Sequence, residues 1–293
     1  YTSPPHQLVE RDGRYYGLGT ADTKGAIAAI LEALRARRDA QGNSGPQEDV
    51  AVLFSGDEEK HASVIRWFLA EGHARGLERA VICEPTGLRV GHRHRGIAAS
   101  TATTVSPGGH SSRADELPSP IVTLARAALA LYDVGQEHLG RGPAGFQGLC
   151  LNVAGISGGV AFNVIPARAE LELSIRPAPG SDTEAILGAL EAAARAAVGS
   201  APLVWQNTHI NPPFATRDLA AFAPLLGASL VSAPLDLGFW TEAALFAEAG
   251  IDAVVFGPGD ITEAHAADEF VEIGQLEGAR DIFRNLLCGG AAA

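Results

Sequence analysis

The stretch Val50-Ala51-Val52-Leu53-Phe54-Ser55-Gly56-Asp57-Glu58-Glu59 decides how this chain is read. An apolar run of strand length ends there in adjacent carboxylates. A buried strand that stops in this way delivers its acids to the carboxyl edge of a sheet, where open α/β proteins build their sites. Carboxylates gathered at such an edge repel one another unless positive charge lies among them. A divalent cation supplies that charge, with one acid as ligand and its neighbour free to move a proton. The same acids also suit the first turn of a solvated helix, where they face the helix dipole.

Three further segments repeat the arrangement. Gly19-Thr20-Ala21-Asp22-Thr23-Lys24-Gly25 sets an acid just before a helix whose expected apolar face is Ile27, Ile30, Leu31 and Leu34. Ala80-Val81-Ile82-Cys83-Glu84-Pro85-Thr86 is a second apolar strand with an acid at its end, stopped by proline. Ala253-Val254-Val255-Phe256 runs into Gly257-Pro258-Gly259 and then Ala264-His265. Singly, Asp22 is a natural helix N-cap, Glu84 a turn residue and His265 a surface histidine. Their recurrence at one type of junction argues for a shared site. Oxygen donors with imidazole suit zinc, cobalt or manganese, and Cys83, Cys150 and Cys288 are too scattered for a thiolate knot.

At 293 residues the chain has room for two domains with their own cores. No run approaches the roughly eighteen apolar residues of a membrane span. A formal charge of -12 with no basic stripe excludes nucleic acid as a partner. Three widely spaced cysteines do not make a disulfide framework, and the cytoplasm is the expected compartment. Helices and apolar strands alternate through about residue 95, as in an open α/β sheet. The character then changes. Gly96 to Val105 is strand-like and rich in small residues, and Pro118 to Tyr132 reads as an amphipathic helix. Ala167 to Arg176 alternates strictly, as a half-buried antiparallel strand does, and Thr183 to Val198 is an Ala- and Leu-rich helix. Two helices on one face of an antiparallel sheet form the ferredoxin-like pattern. The α/β rhythm returns after about residue 205, closes with a helix around Gln275 to Leu287, and leaves a small-residue tail, Gly289 to Ala293. His92 and His94 fall at the hinge to the insert and are expected to be solvated.

Taken in series, these motifs are similar to those of the zinc-dependent amidohydrolases and exopeptidases that include acetylornithine deacetylase, succinyl-diaminopimelate desuccinylase and the co-catalytic carboxypeptidases. The matching pieces are Gly17 to Gly25, Asp57-Glu58-Glu59, Cys83-Glu84-Pro85-Thr86, Gly108-Gly109-His110-Ser111-Ser112, Asn163-Val164-Ile165-Pro166 and Gly257-Pro258-Gly259 with His265, in the family's order. The resemblance implies an α/β catalytic domain, a mixed sheet flanked by helices, in residues 1–95 and 205–293. Residues 96–204 then form an inserted α+β lid, through which the protein is expected to form a homodimer.

The same resemblance implies two divalent metal ions, zinc or else cobalt or manganese. Asp22 bridges them, Glu59 and Glu84 each hold one, and His265 completes the second site. Glu58 is the general base, taking a proton from the attacking water and passing it to the departing amine. His110 supplies a donor for the developing oxyanion. Asn163 and Arg176 grip substrate, Arg176 through the α-carboxylate, and Gly257 and Gly259 let backbone amides approach that group. Family members also carry a histidine-x-aspartate strand ahead of the point where this sequence starts. The expectation is therefore that an N-terminal segment precedes it, and that a form ending here folds poorly and is inactive. His6 is not promoted to a ligand.

Phe239-Trp240-Thr241-Glu242-Ala243 resembles the Thr-Glu-Ala signature of the acetylornithine and acetylcitrulline deacetylases, most closely the latter branch. The implied substrate is a small N-acyl amino acid of arginine biosynthesis. Glu242 pairs equally well with an amine or a ureido group at its far end. A di- or tripeptidase or carboxypeptidase of the same family, and a catalytically inactive binding scaffold, are the alternatives.

Overall fold

A computed structural model describes residues 4–41 and 50–287 of the chain. Cys288 and the small-residue tail lie outside the described residues. The chain divides into two compact units: Tyr1–Arg93, Ala215–Leu237 and Thr241–Ala293 in one, His94–Phe214 and Gly238–Trp240 in the other.

The sheet of the first unit has the fully buried strand Asp252–Val255 inside it, because Ala253, Val254 and Val255 offer only apolar surface to both faces. It runs parallel to Arg79–Ile82, with Asp252 opposite Arg79 and Val255 opposite Ile82, and antiparallel to Gly91–His94. Parallel pairing carries the ends of two strands to one edge, so Glu84 and the turn Gly257-Pro258-Gly259 emerge side by side. Helices Gly25–Gln41 and Ile273–Leu287 share a core with Val254 and Phe256, built from Ala29, Ala33, Ala279, Phe283 and Leu287. A smaller antiparallel sheet joins Val9–Arg11, Arg14–Tyr16 and Phe270–Glu272.

Two expectations are corrected here. The helix Gly25–Gln41 buries Ala26, Ala29 and Ala33; Ile30 and Leu34 are half-buried and Leu31 is exposed. Small side chains allow a close approach to the neighbouring helix, and the larger ones flank the contact. The run Val50 to Phe54 is not a buried strand. Residues 50–56 have no regular structure, and Val50, Val52, Leu53 and Phe54 are 38–51% exposed. A strand needs a ladder as well as apolar side chains, and among the described residues no ladder includes this segment.

The second unit is a β-α-β-β-α-β domain. Ile97–Val105, Asn152–Gly158, Arg168–Ile175 and Val204–Asn211 form one sheet, and Pro120–Glu137 and Thr183–Val198 are its helices. The spatial order is Val204–Asn211, Ile97–Val105, Arg168–Ile175, Asn152–Gly158, all antiparallel, which is the ferredoxin-like arrangement. Ile97–Val105 alternates in burial along its length, turning Ala98, Ser100, Ala102 and Thr104 inward. Those small residues leave room for Leu124 and Leu131 of one helix and Leu187 and Leu190 of the other. Ser119 and Asp182 cap the two helices, accepting the amides of Val122 and Ala185. The unit reaches Phe214 instead of ending near residue 204, because Val204–Asn211 pairs along Ile97–Val105. His94, expected to be solvated, is fully buried in this unit: Nδ1 lies 2.9 Å from the Arg95 carbonyl and the ring packs near Phe214. His92 is likewise half-buried in the first unit, its Nε2 3.1 Å from Asp236 Oδ1.

Candidate metal centre

The acidic stretch Asp57-Glu58-Glu59 splits its duties. Asp57 adopts φ +69° and its carboxylate accepts the Ser63 hydroxyl at 2.7 Å, beside the start of helix Ser63–Ala70. The helix-start reading thus holds for Asp57. Glu58 and Glu59 turn toward other acids in the first unit.

Asp22, Glu59 and His265 bring one ligand atom each within 4.8 Å of one another. His265 Nε2 lies 2.6 Å from Glu59 Oε1 and 3.2 Å from Asp22 Oδ2. A cation bound at about 2.0–2.2 Å holds its ligands roughly 3–4 Å apart, so these donors need only small movements to share one. Two carboxylates and an imidazole also match the chemistry of zinc, cobalt or manganese. The residues present therefore fit a divalent cation. The loop bearing Asp22 is tightly folded: Gly25 tucks under the Thr20 carbonyl, where a Cβ has no room.

The surrounding electrostatics point the same way. Burial, with Glu59 nearby, holds the Asp22 carboxyl above its ordinary range. Burial, then Glu58, pushes Glu84 well above the usual value. Glu58 is pushed up to about 7, mainly by burial and next by the charge of Glu59, with Glu242 and Asp22 adding to it. His265 is raised, first by its hydrogen bond to Glu59. Acids crowded until they retain protons are a site whose charge calls for a cation. Glu84 is not one of the three converging donors, but it is close enough to feel Glu58 and Asp22.

Glu242 is 6% exposed, accepts the Ser55 hydroxyl on Oε2 at 2.9 Å, and has no partner for Oε1 among the described residues. Gly257 and Gly259 sit in close contact with their surroundings. Their amides are already engaged, Gly257 donating to Thr86 Oγ1 at 3.1 Å and Gly259 to Gln275 Oε1 at 2.6 Å. Packing also requires glycine here: a Cβ on Gly257 would stand 2.7 Å from the Glu84 carbonyl. Gln275 and Glu269 were not legible as site residues, because each acts on main-chain amides distant in sequence.

His110, Asn163 and Arg176 belong to the second unit, and all three are exposed. The short ladder of Gly109–His110 with Val164–Ile165 places His110 beside Asn163, whose carbonyl accepts the Ser111 amide. His110 Nδ1 accepts the Ser112 amide at 3.2 Å, which puts the proton of a neutral ring on Nε2. Arg176 follows strand Arg168–Ile175, separate from that pair.

A converging carboxylate-imidazole donor set, beside a half-buried acid raised well above its ordinary range on an α/β scaffold, defines a metal-dependent amidohydrolase. The family model "Peptidase family M20/M25/M40" matches residues 2–288, and the chain belongs to that family. It is 33% identical over 286 residues to an N-acetyl-L-citrulline deacetylase of Xanthomonas campestris pv. campestris, covering 94% of this chain and 74% of the relative. An acetylornithine deacetylase of Myxococcus xanthus is 31% identical over 297 residues, covering 97% and 75%. Among solved structures, an M20 family metallo-carboxypeptidase of Sulfolobus solfataricus shares the fold at a TM-score of 0.74 and 18% identity, covering 99% of this chain and 80% of that one. A dinuclear metal-binding M20 peptidase of Bacillus subtilis does so at 0.66 and 15%, covering 89% and 70%. No helix among the described residues is long and apolar enough to cross a membrane.

Proposed function

We propose that the protein removes the acetyl group from a small N-acetyl amino acid, N-acetyl-L-citrulline or N-acetyl-L-ornithine, in arginine biosynthesis in the cytoplasm. The observation that carries the chemistry is the convergence of Asp22, Glu59 and His265, with the half-buried carboxyl of Glu58 close enough to feel their charges. Asp22, Glu59 and His265 would hold one zinc or cobalt ion, and Glu84 with Asp22 a second. Bound cations supply Lewis acidity, which polarises the acyl oxygen and makes water easier to deprotonate. Glu58, a carboxylate beside the converging donors and not itself one of them, takes the proton of the attacking water. It then protonates the departing amine. His110, with Nε2–H free to donate, would stabilise the oxyanion, and Asn163 and Arg176 would hold the substrate.

Substrate choice rests on Glu242. A buried carboxylate oxygen without a partner is costly, and a donor at the far end of the substrate would satisfy it. The two curated relatives, named for acetylcitrulline and acetylornithine, support that class of substrate. The second unit supports a homodimer: Val122, Leu129 and Tyr132 of its first helix are 52–66% exposed, and Asn152–Gly158 is an edge strand. Acetate release from the two substrates, measured with zinc or cobalt and alongside Glu58→Ala, tests the reading. Turnover abolished by the substitution supports it. Hydrolysis of dipeptides with neither acetyl substrate cleaved overturns it.

A further inference from the structure

Glu269 is 3% exposed, and nothing in the proposed reaction uses it. Its carboxylate accepts three main-chain amides from one loop: Gly19 on Oε2 at 2.7 Å, and Ala21 at 2.8 Å and Asp22 at 3.0 Å on Oε1. Its own carbonyl accepts the Gly17 amide at 3.0 Å. One residue therefore takes the amides of Gly17, Gly19, Ala21 and Asp22, while those of Leu18 and Thr20 bond to Pro5 and Gly17. It also stands at a telling place in the chain. Glu269 directly precedes strand Phe270–Glu272, which pairs with Arg14–Tyr16 just ahead of that loop, and it follows His265 by one short turn.

Charge-assisted bonds of this length are among the stronger ones in a protein, and two oxygens shared by three donors fix a loop in translation and rotation. The Asp22 amide is one of those donors, so the backbone that aims the Asp22 carboxylate is set by Glu269. Because the same carboxylate lies on the segment that carries His265, it also sets the separation between two of the three converging donors. Strand pairing helps fix the loop's start, and the Glu269 side chain reaches its far end.

We infer that Glu269 is a positioning residue, acting through Asp22 to hold the cation donors in register. The inference rests on the proposed role of Asp22 as a ligand. Glu269→Gln tests it with little change of shape, since the new amide group turns a donor toward a backbone donor and sacrifices one acceptor. Zinc affinity is read by chelator competition on folded protein, far below its unfolding temperature. The expected result is a loss of about 10–100-fold, the range typical of groups that orient ligands. In an Asp22→Asn background the same substitution should cause little further loss, because the two act as one unit. Glu269→Asp keeps the charge but retracts it by one methylene; it should show the same weakening and serves if the glutamine variant does not fold. Wild-type protein that binds no zinc would sink the proposed metal centre itself. Zinc bound normally by wild type and equally well by either folded variant would overturn the positioning role and leave the centre intact.

Discussion

Glu58 makes the stability of the metal-free protein depend on pH, in a direction opposite to that of most acids. Its carboxyl sits at about 7 in the fold against an ordinary value of 4.5. Between those values the folded chain binds a proton that the unfolded chain has lost, so stability falls as pH rises and the loss is complete above about 7. At 1.36 kcal/mol per pH unit, the change from pH 5 to pH 8 attributable to Glu58 is about 2–3 kcal/mol, an upper bound because the group is only half-buried. Glu58→Gln removes this contribution. After chelator treatment, the variant's melting temperature minus that of wild type should therefore be larger at pH 8 than at pH 5, by roughly 5–10 °C for a unit of this size. Added zinc should abolish the difference, since a cation favours the charged carboxylate. A difference independent of pH, or one that shrinks toward pH 8, would refute the placement of Glu58 in a desolvated acidic cluster.

His265→Ala removes one of three converging donors and should weaken zinc binding at least as much as loss of an orienting group, about 10–100-fold, by the same chelator competition. Glu242→Gln should raise KM for N-acetyl-L-ornithine by roughly tenfold with kcat nearly unchanged, the signature of lost ground-state binding; a fall in kcat at constant KM contradicts it. Gly257→Ala forces a Cβ to within 2.7 Å of a backbone carbonyl, so it should cost about 1–3 kcal/mol of stability, and a neutral melting temperature would disprove the tight packing there.

Local pattern carried the elements whose neighbours in sequence dictate them. Thr183–Val198 has its cap at Asp182 and its apolar stripe of Leu187, Leu190 and Ala194 within the segment itself. The strict alternation around Arg168–Ile175 likewise contains its own burial pattern. That Asp22, Glu59 and His265 come together could be anticipated because each follows a motif with a local signature. Val50 to Phe54 was misread because strand formation depends on a ladder partner, and apolar composition says nothing of one. Gly257 and Gly259 show a related limit: a glycine marks a close approach, but what approaches lies elsewhere, here the Glu84 backbone and Ala21. Glu269 and Gln275 gave no signal, since a carboxylate or amide bonded to amides up to 250 residues away leaves no period in the sequence.

Glu59 and His265, whose side chains meet at 2.6 Å, are 206 residues apart in the chain. At a synthesis rate of about 5–20 residues per second, the imidazole leaves the ribosome roughly 10–40 s after the carboxylate. For that interval the nascent polypeptide exposes Asp22 and Glu59 with neither His265 nor the Glu269 clasp. Contacts of such long range repay their loop-closure entropy only when the C-terminal segment arrives. At the proposed centre, tight cation capture would therefore be a late event in biogenesis, one that discriminates finished molecules from ribosome-bound ones.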